Sequence, residues 1–562
     1  MSVFIGYPSF MAYQMMKGKK GNNDGFPSIP GMIARYSALG LTNEQMAANP
    51  VWVDKTGNGR DLQLKNFSWK GMSGVGGYVQ DFNAFRNNTT VDKVRIDEKS
   101  NNSIKVTILT TGIGNAIYIA KNIYQFNKSY FIKISSEGYN EGDLSLSFYA
   151  PSTSTATTVK VPLNPNGITE IPAIKEDDFL AVYLNVGGKV GLITVEQLPL
   201  YPGALVFDGV DDYGVCDNFP ILTKEKGYTV VALRQWISMG EGLYGLVSNI
   251  KNWFNDGAFI LEYSSNNATN KFVNRPVSFG KVNIEMDLPN NFTYQTSKSY
   301  KGIPITTGSF KGTNSLFVGG LNNIIRNCSN AAIWELVFLD HDATEEELTK
   351  IKDYFVKTYP WLFPDQAWTV TGKTNEDEDR ATIANITGNG NNLVLSNFGF
   401  IEGSGYNEEG EYAGYLVTDG VDDKVRSAAF TLNEDWTIVG DWELLSNVQI
   451  NCGIVKAQNV YPYNTDNGLL ISINNPRSLQ SFGTKSLHAI CSDGRLYDRN
   501  WVEYEYTVDQ NFEIVKSSLN IGFNLNNYTQ IAFKNLGIYN NQILSKDDCI
   551  KAYNYLQTLK AK

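Results

Sequence analysis

Residues Leu205–Tyr213 read LVFDGVDDY, and residues Leu416–Lys424 read LVTDGVDDK. In each string an apolar pair runs into Asp-Gly, the dipeptide that supplies the positive φ of a tight turn, so each reads as strand, turn and next strand. Asp208, Gly209 and Asp212, with their partners Asp419, Gly420 and Asp423, are therefore assigned to a structural turn. Because the string occurs twice, the chain can be compared with itself, and the match extends in both directions. Upstream, TGNGRDLQLKNF from Thr56 matches TGNGNNLVLSNF from Thr387, and Gly40-Leu41-Thr42-Asn43-Glu44 matches Gly372-Lys373-Thr374-Asn375-Glu376. Downstream, Tyr228–Val231 matches Trp436–Val439, and Ser315–Gly319 matches Ser518–Gly522. The last pair leads in both copies into an apolar strand and a short helix.

Both helix starts carry their own signals. Thr344 stands three residues before Glu347, and Ser545 three before Asp548, which fits a capping hydroxyl with an acid in the first turn. Leu348, Ile351 and Phe355 in one helix, and Cys549, Ala552 and Leu556 in the other, share a face expected against a sheet. The copies differ in one respect: about 150 residues separate Gly57 from Asp208, but about 30 separate Gly388 from Asp419. About 120 residues thus interrupt the first copy. The interruption alternates as strands, among them Ser103–Ile108, Tyr130–Ile134 and Leu144–Phe148. The expected organisation is an extended N-terminal arm over 1–32, a first sandwich over 33–79 and 200–360, an inserted smaller β-sandwich over 80–199, and a second sandwich over 361–562.

Composition agrees with an all-β class, since 31 Tyr, 29 Phe and 50 Gly favour many short strands joined by tight turns. The net charge of −10 is dispersed, so no basic stripe is offered to nucleic acid. Five cysteines, Cys216, Cys328, Cys452, Cys491 and Cys549, form no CxxC pair, which argues against a zinc site and a disulfide framework. They read as buried small apolar residues in a reducing compartment. No window approaches the ~18 apolar residues that span a bilayer. The opening MSVFIGYPSFMAYQMMKGKK places its lysines after the apolar stretch, the reverse of a secretory signal.

The ordered set of TGNG, DGVDD, a late strand and a capped helix, present twice, resembles the laminin-G-like modules of the concanavalin-A-like superfamily. The resemblance implies two jelly-roll sandwiches of stacked antiparallel sheets that bind glycans or proteins and sometimes carry calcium. Calcium is therefore a candidate ligand of the two acidic turns, although no metal is assigned to them. A narrower resemblance lies in Asn66-Phe67 followed by GMSGVGGY from Gly71 to Tyr78. This is similar to virion proteins of crAss-like phages of gut Bacteroidales.

The resemblances imply a head or tail fibre or appendage subunit, located in the virion and made in the host cytoplasm without a signal peptide. Its N-terminal arm is expected to hold capsid or tail proteins, its modules to meet host-surface glycan or protein, and the subunits to form a homo-oligomer such as a trimer. Trp236, Trp253, Trp442 and Trp501 are the candidate glycan platforms, because indole faces stack on sugar rings. A soluble lectin-like protein is the alternative. A glycoside hydrolase of the same fold comes third, because it needs two converging carboxylates and the nearest patterns are Glu376-Asp377-Glu378 and Glu503-Tyr504-Glu505. Only two histidines exist, His341 and His488, and they occupy different repeat positions, so no catalytic residue, cofactor or histidine metal site is expected.

Overall fold

The structure is a computed structural model. It describes residues 24–561 apart from short stretches, chiefly 89–91, 151–157, 239–243, 250–258, 265–270, 276–281, 286–290, 305–312, 321–327, 446–454, 474–479, 483–486 and 506–515. The chain is all-β, built of antiparallel sheets stacked as sandwiches.

In each repeat a long closing strand, Asn330–Leu339 or Ile531–Asn540, organises one sheet. Asn330–Leu339 is flanked by Leu205–Asp208 and Thr229–Ser238 and takes Met32–Ser37 as well. Ile531–Asn540 repeats the arrangement with Leu416–Val417, Trp436–Leu444 and Gln366–Thr369. The facing sheet pairs Leu62–Lys65 with Tyr213–Cys216 in one copy and Leu393–Ser396 with Lys424–Thr431 in the other. Leu62–Lys65 and Leu393–Ser396 alternate buried and exposed, as strands with one wet face do.

Side chains repeat along with the strands. Asn43 donates through Nδ2 to Val75 O (3.2 Å) and accepts from Val75 N–H (2.7 Å). Asn375 brackets Tyr406 in the same way at 2.8 Å both ways. The bracket explains the glycine before each bracketed residue, because a Cβ at Gly74 or Gly405 would lie 2.4 or 2.5 Å from that asparagine's Oδ1. The hydroxyls of Thr229 and Thr437 accept from Ala343 N–H and Leu544 N–H and donate to His341 O and Gln542 O. Each central strand is thus tied to the loop that starts a helix.

Thr344 and Glu347 form the full capping box, Thr344 Oγ1 accepting from Glu347 N–H and Glu347 Oε2 accepting from Thr344 N–H. Ser545 accepts from Asp548 N–H at 3.2 Å but receives no reciprocal backbone bond, since Asp is one methylene shorter than Glu. The helix Glu345–Thr358 buries Ile351, Tyr354 and Phe355. The C-terminal helix Lys546–Gln557 buries Cys549, Ala552 and Leu556, and also Tyr553 and Tyr555. It is covered on more than one side because the inserted domain reaches it.

The insertion forms two five-stranded sheets over Arg86–Asn87 to Gly191–Gln197, with Val106, Ile134, Leu146 and Val182 in its core. Gln80 N–H donates to Gln197 Oε1 (2.9 Å) and Gln197 Nε2 donates to Gln80 O (3.1 Å), closing the neck of the domain. Of the arm expected over 1–32, residues 1–23 lie outside the described residues, while 24–31 are not extended from the sandwich. Phe26 and Ile29 are each 5% exposed, and Asp24 pairs with Arg35 at 2.7 Å, so this part packs on the first sandwich.

The insertion meets the C-terminal helix where Phe131 packs edge-on against Tyr553 at 5.4 Å. Tyr553 OH also donates to Glu170 Oε2 at 3.4 Å. Burial, then the charge of Asp441, pushes the Glu170 carboxyl up to about 7, against the pull of Lys534 and Arg499. A carboxyl whose pKa is raised by docking strengthens docking when protonated. Its contribution is complete below the free carboxyl's value and disappears as pH rises through about 7. Hydrogen exchange in the strand Ile168–Ile171 is therefore expected to be slower at acid than at mildly alkaline pH relative to the intrinsic rates, with Glu170→Gln removing the difference.

Candidate functional site

The acidic turns are built almost identically. Asp208 Oδ1 accepts from the N–H groups of Val210 (2.8 Å) and Asp211 (3.4 Å), and Asp419 Oδ1 from those of Val421 (2.8 Å) and Asp422 (3.2 Å). The last aspartate closes the turn: Asp212 Oδ2 accepts from Asp208 N–H at 3.1 Å, and Asp423 Oδ2 from Asp419 N–H at 2.8 Å. Ser73 and Ser404 donate to the other oxygens at 3.0 and 3.1 Å. Asn66 and Asn397 donate through Nδ2 to the carbonyls of Asp211 and Asp422, both at 3.0 Å. Gly209 and Gly420 have φ of 79° and 75°, the left-handed conformation for which Asp-Gly is suited.

Three carboxylates gather in each turn, Asp208 with Asp211 and Asp212, and Asp419 with Asp422 and Asp423. Calcium asks for six to eight oxygens. Here both oxygens of Asp212 and one of Asp208 already accept N–H or O–H groups, and the second turn repeats this. The arrangement is that of a closed polar turn, and the three carboxylates alone do not supply the six or more oxygens a calcium ion takes.

Burial, reinforced by Asp208, raises the Asp212 carboxyl to about 8, and burial raises Asp423 to about 6. The TGNG loops are equally self-contained. Thr56 Oγ1 donates to Asp54 and Thr387 Oγ1 to Asn385, while Asn58 and Asn389 donate through Nδ2 to Ile33 O and Asp365 O.

The tryptophans are not the exposed platforms that were expected. Trp236, Trp442 and Trp501 are 2%, 1% and 3% exposed. Trp236 donates through Nε1 to Glu262 Oε2 at 2.9 Å, and Trp501 packs against His488, Tyr497 and Tyr553. None of the three turns a face to solvent: Trp236 and Trp442 lie inside the cores of the first and second sandwich, and Trp501, on the loop after Arg495–Asp498, packs against the C-terminal helix. Trp253 lies outside the described residues.

The structure brings together a charged group that sequence reasoning missed. Arg234 pairs with Glu262 inside the first sandwich, with side chains 1% and 0% exposed. Tyr300 OH also donates to Glu262, at 2.8 Å, and Arg234 holds the carboxyl down to about 2 against its burial. The sequence signal was an arginine, followed by Gln235, in the middle of a mostly apolar strand.

The acids considered for catalysis lie elsewhere. Asp377 accepts from Thr374 N–H and hydroxyl, and Glu503 and Glu505 are exposed on an edge strand. His341 sits 3.2 Å from both Asp340 and Glu347 at the start of a helix. His488 is buried and stacked on Tyr553 at 4.2 Å.

With its carboxyl raised in this way, Asp212 is expected to make the stability of the first sandwich depend on pH. Its contribution is complete below the ordinary aspartate value and is lost as pH rises through about 8. Between those values the stability is expected to fall with a slope approaching about 1.4 kcal/mol per pH unit. Asp212→Asn, whose amide can still meet Asp208 N–H and Ser73 Oγ, is expected to flatten the profile in denaturant titrations. Millimolar calcium is expected to leave the melting temperature of the wild type unchanged.

No protein-family model matches this chain, and no curated protein matches it. Among solved structures it is similar to the Trypanosoma rangeli sialidase in complex with sialic acid, at 9% identity and TM-score 0.21 over 46% of this chain and 62% of that one. The chain thus covers 62% of the sialidase's length. It is also similar to the botulinum neurotoxin serotype D binding domain, at 12% identity and TM-score 0.24 over 61% of this chain and 88% of that one. A third similarity is to the receptor-binding domain of botulinum neurotoxin mosaic serotype C/D, at 8% identity and TM-score 0.25 over 61% and 89%. At these scores the likenesses carry no argument, and no family is assigned.

Proposed function

We propose that this chain is a structural protein of a phage particle, a head or tail fibre or appendage subunit that presents its sandwiches to host-surface glycan or protein. The observation that carries a binding role over catalysis is the fate of the acids. In both copies the clustered carboxylates are spent on closing turns, and of the acids weighed for catalysis Asp377 is tied to Thr374 while Glu503 and Glu505 stand on an exposed edge. A hydrolase would instead need two carboxylates facing one substrate.

Support for the particle comes from Gly71–Tyr78, the stretch that resembles phage virion proteins. In this reading the anchor to capsid or tail proteins is carried by the residues ahead of Asp24, since Phe26 and Ile29 are committed to the first sandwich. Assembly as a homo-oligomer such as a trimer belongs to the same proposal.

Mass spectrometry of purified particles is the test. The chain is expected at a fixed copy number per particle. Its absence would point to the soluble lectin-like alternative.

A further inference from the structure

The two sandwiches enclose a cleft of about 680 Å³, within the size range of small-molecule sites. The first sandwich and its helix contribute Phe292, Tyr294, Lys301 and Lys352, and the second contributes Asn389, Asn541 and Gln542. Two properties of the lining select a ligand. The first is a surplus of planar amides beside aromatic rings, the combination that matches a sugar ring: amides pair with vicinal hydroxyls, and an aromatic face covers the C–H face. The second is charge. Although the chain carries −10 overall, the charged side chains lining the cleft are Lys301, Lys352 and Asp365. Asp365 already accepts Asn540 N–H at 2.7 Å, and burial raises its pKa. Two lysines against one aspartate leave the lining with a positive surplus.

A third, independent observation comes from Asn291, which lines the same cleft and is 2% exposed. Its Nδ2 donates to Leu362 O (2.8 Å) and Tyr555 OH (2.9 Å), whereas its Oδ1 has no hydrogen-bond partner. Those two bonds pin the amide between the Pro360–Leu362 turn and the C-terminal helix, and so hold the wall of the cleft in place.

We propose that this cleft binds a saccharide bearing a carboxylate, with Lys301 and Lys352 meeting the acid, Asn541 and Gln542 the hydroxyls, and Tyr294 the ring face. The proposal rests on the attachment reading and gives it a location. It also moves the expected sugar contact away from the tryptophans and into the seam between the repeats.

The test is titration of the full chain with trigalacturonate and a chondroitin tetrasaccharide, with maltotriose as the neutral control. The acidic saccharides are expected to bind, to weaken as salt rises, and to exceed maltotriose by about tenfold or more. Lys352→Gln, at an exposed helix position, is expected to weaken binding by about fivefold to tenfold while leaving the melting temperature unchanged, and Tyr294→Ala to weaken it by a similar factor while lowering the melting temperature, since the ring also packs on the core. Failure of both acidic saccharides to bind, or equal binding by wild type and variants, would overturn the proposal. Adhesion of the chain to host cells separates the two readings. Adhesion retained in Lys352→Gln sinks the cleft and leaves attachment standing, whereas saccharide binding that depends on Lys352 without any adhesion supports the cleft and sinks attachment.

Discussion

Arg35 and Glu335 face each other with neither side chain exposed, Nε to Oε2 at 3.1 Å and Nη2 to Oε1 at 3.2 Å. Two charges removed from water cost several kcal/mol each unless their remaining valences are met. Meeting them draws in much of the first sandwich. Tyr359 OH donates to Glu335 at 2.8 Å, Arg35 donates to Tyr354 OH at 3.0 Å and to Asp24 at 2.7 Å, and the Phe26 ring lies 4.0 Å from the guanidinium. One buried pair thereby joins the first strand, the closing strand, the helix Glu345–Thr358, its exit and the segment that precedes the sandwich.

That exit determines where the second sandwich sits. Tyr359 leads directly into the turn Pro360–Leu362, and both ends of the turn are held. Tyr539 OH of the second sandwich donates to Trp361 O at 2.8 Å, Lys551 lies 4.3 Å from the Trp361 ring, and Asn291 of the first sandwich donates to Leu362 O. The C-terminal helix completes the junction, with Tyr553 on the insertion, Tyr555 on Asn291, and Thr558 at its end accepting from Gln235 of the first sandwich. The cleft is what remains between surfaces fixed in this way. The ion pair itself is not duplicated: Ala367 occupies the place of Arg35, its N–H meeting Asn385 Oδ1 as Arg35 N–H meets Asp54 Oδ1.

What the sequence made legible is local. The repeated strings located the strands, turns and helix caps because the same short-range chemistry is needed twice. Even Asn43 and Asn375 were visible as identities, although their bracket was not. Trp236 illustrates what was hidden. Its strand, Thr229–Ser238, is buried at eight consecutive positions, so it lacks the alternation that distinguishes a core face from a wet one. The outer face of such a strand is dry because other parts of the chain cover it, and those lie far away in sequence. Arg35 and Glu335 are 300 residues apart, and no spacing rule connects them. The cleft belongs to neither repeat alone, so no motif within one repeat announces it.

The central claim is that the two sandwiches are held in one fixed arrangement and that binding uses the seam between them. Electron–electron resonance between spin labels at Val210 and Val421, the exposed tips of the two acidic turns, tests it most directly. A single narrow distance distribution in the wild-type background, broadening when Glu335 is replaced by Gln, is the predicted result. A broad distribution in the wild type would contradict the account, because sandwiches that swing freely on the Tyr359–Leu362 connection cannot maintain a cleft.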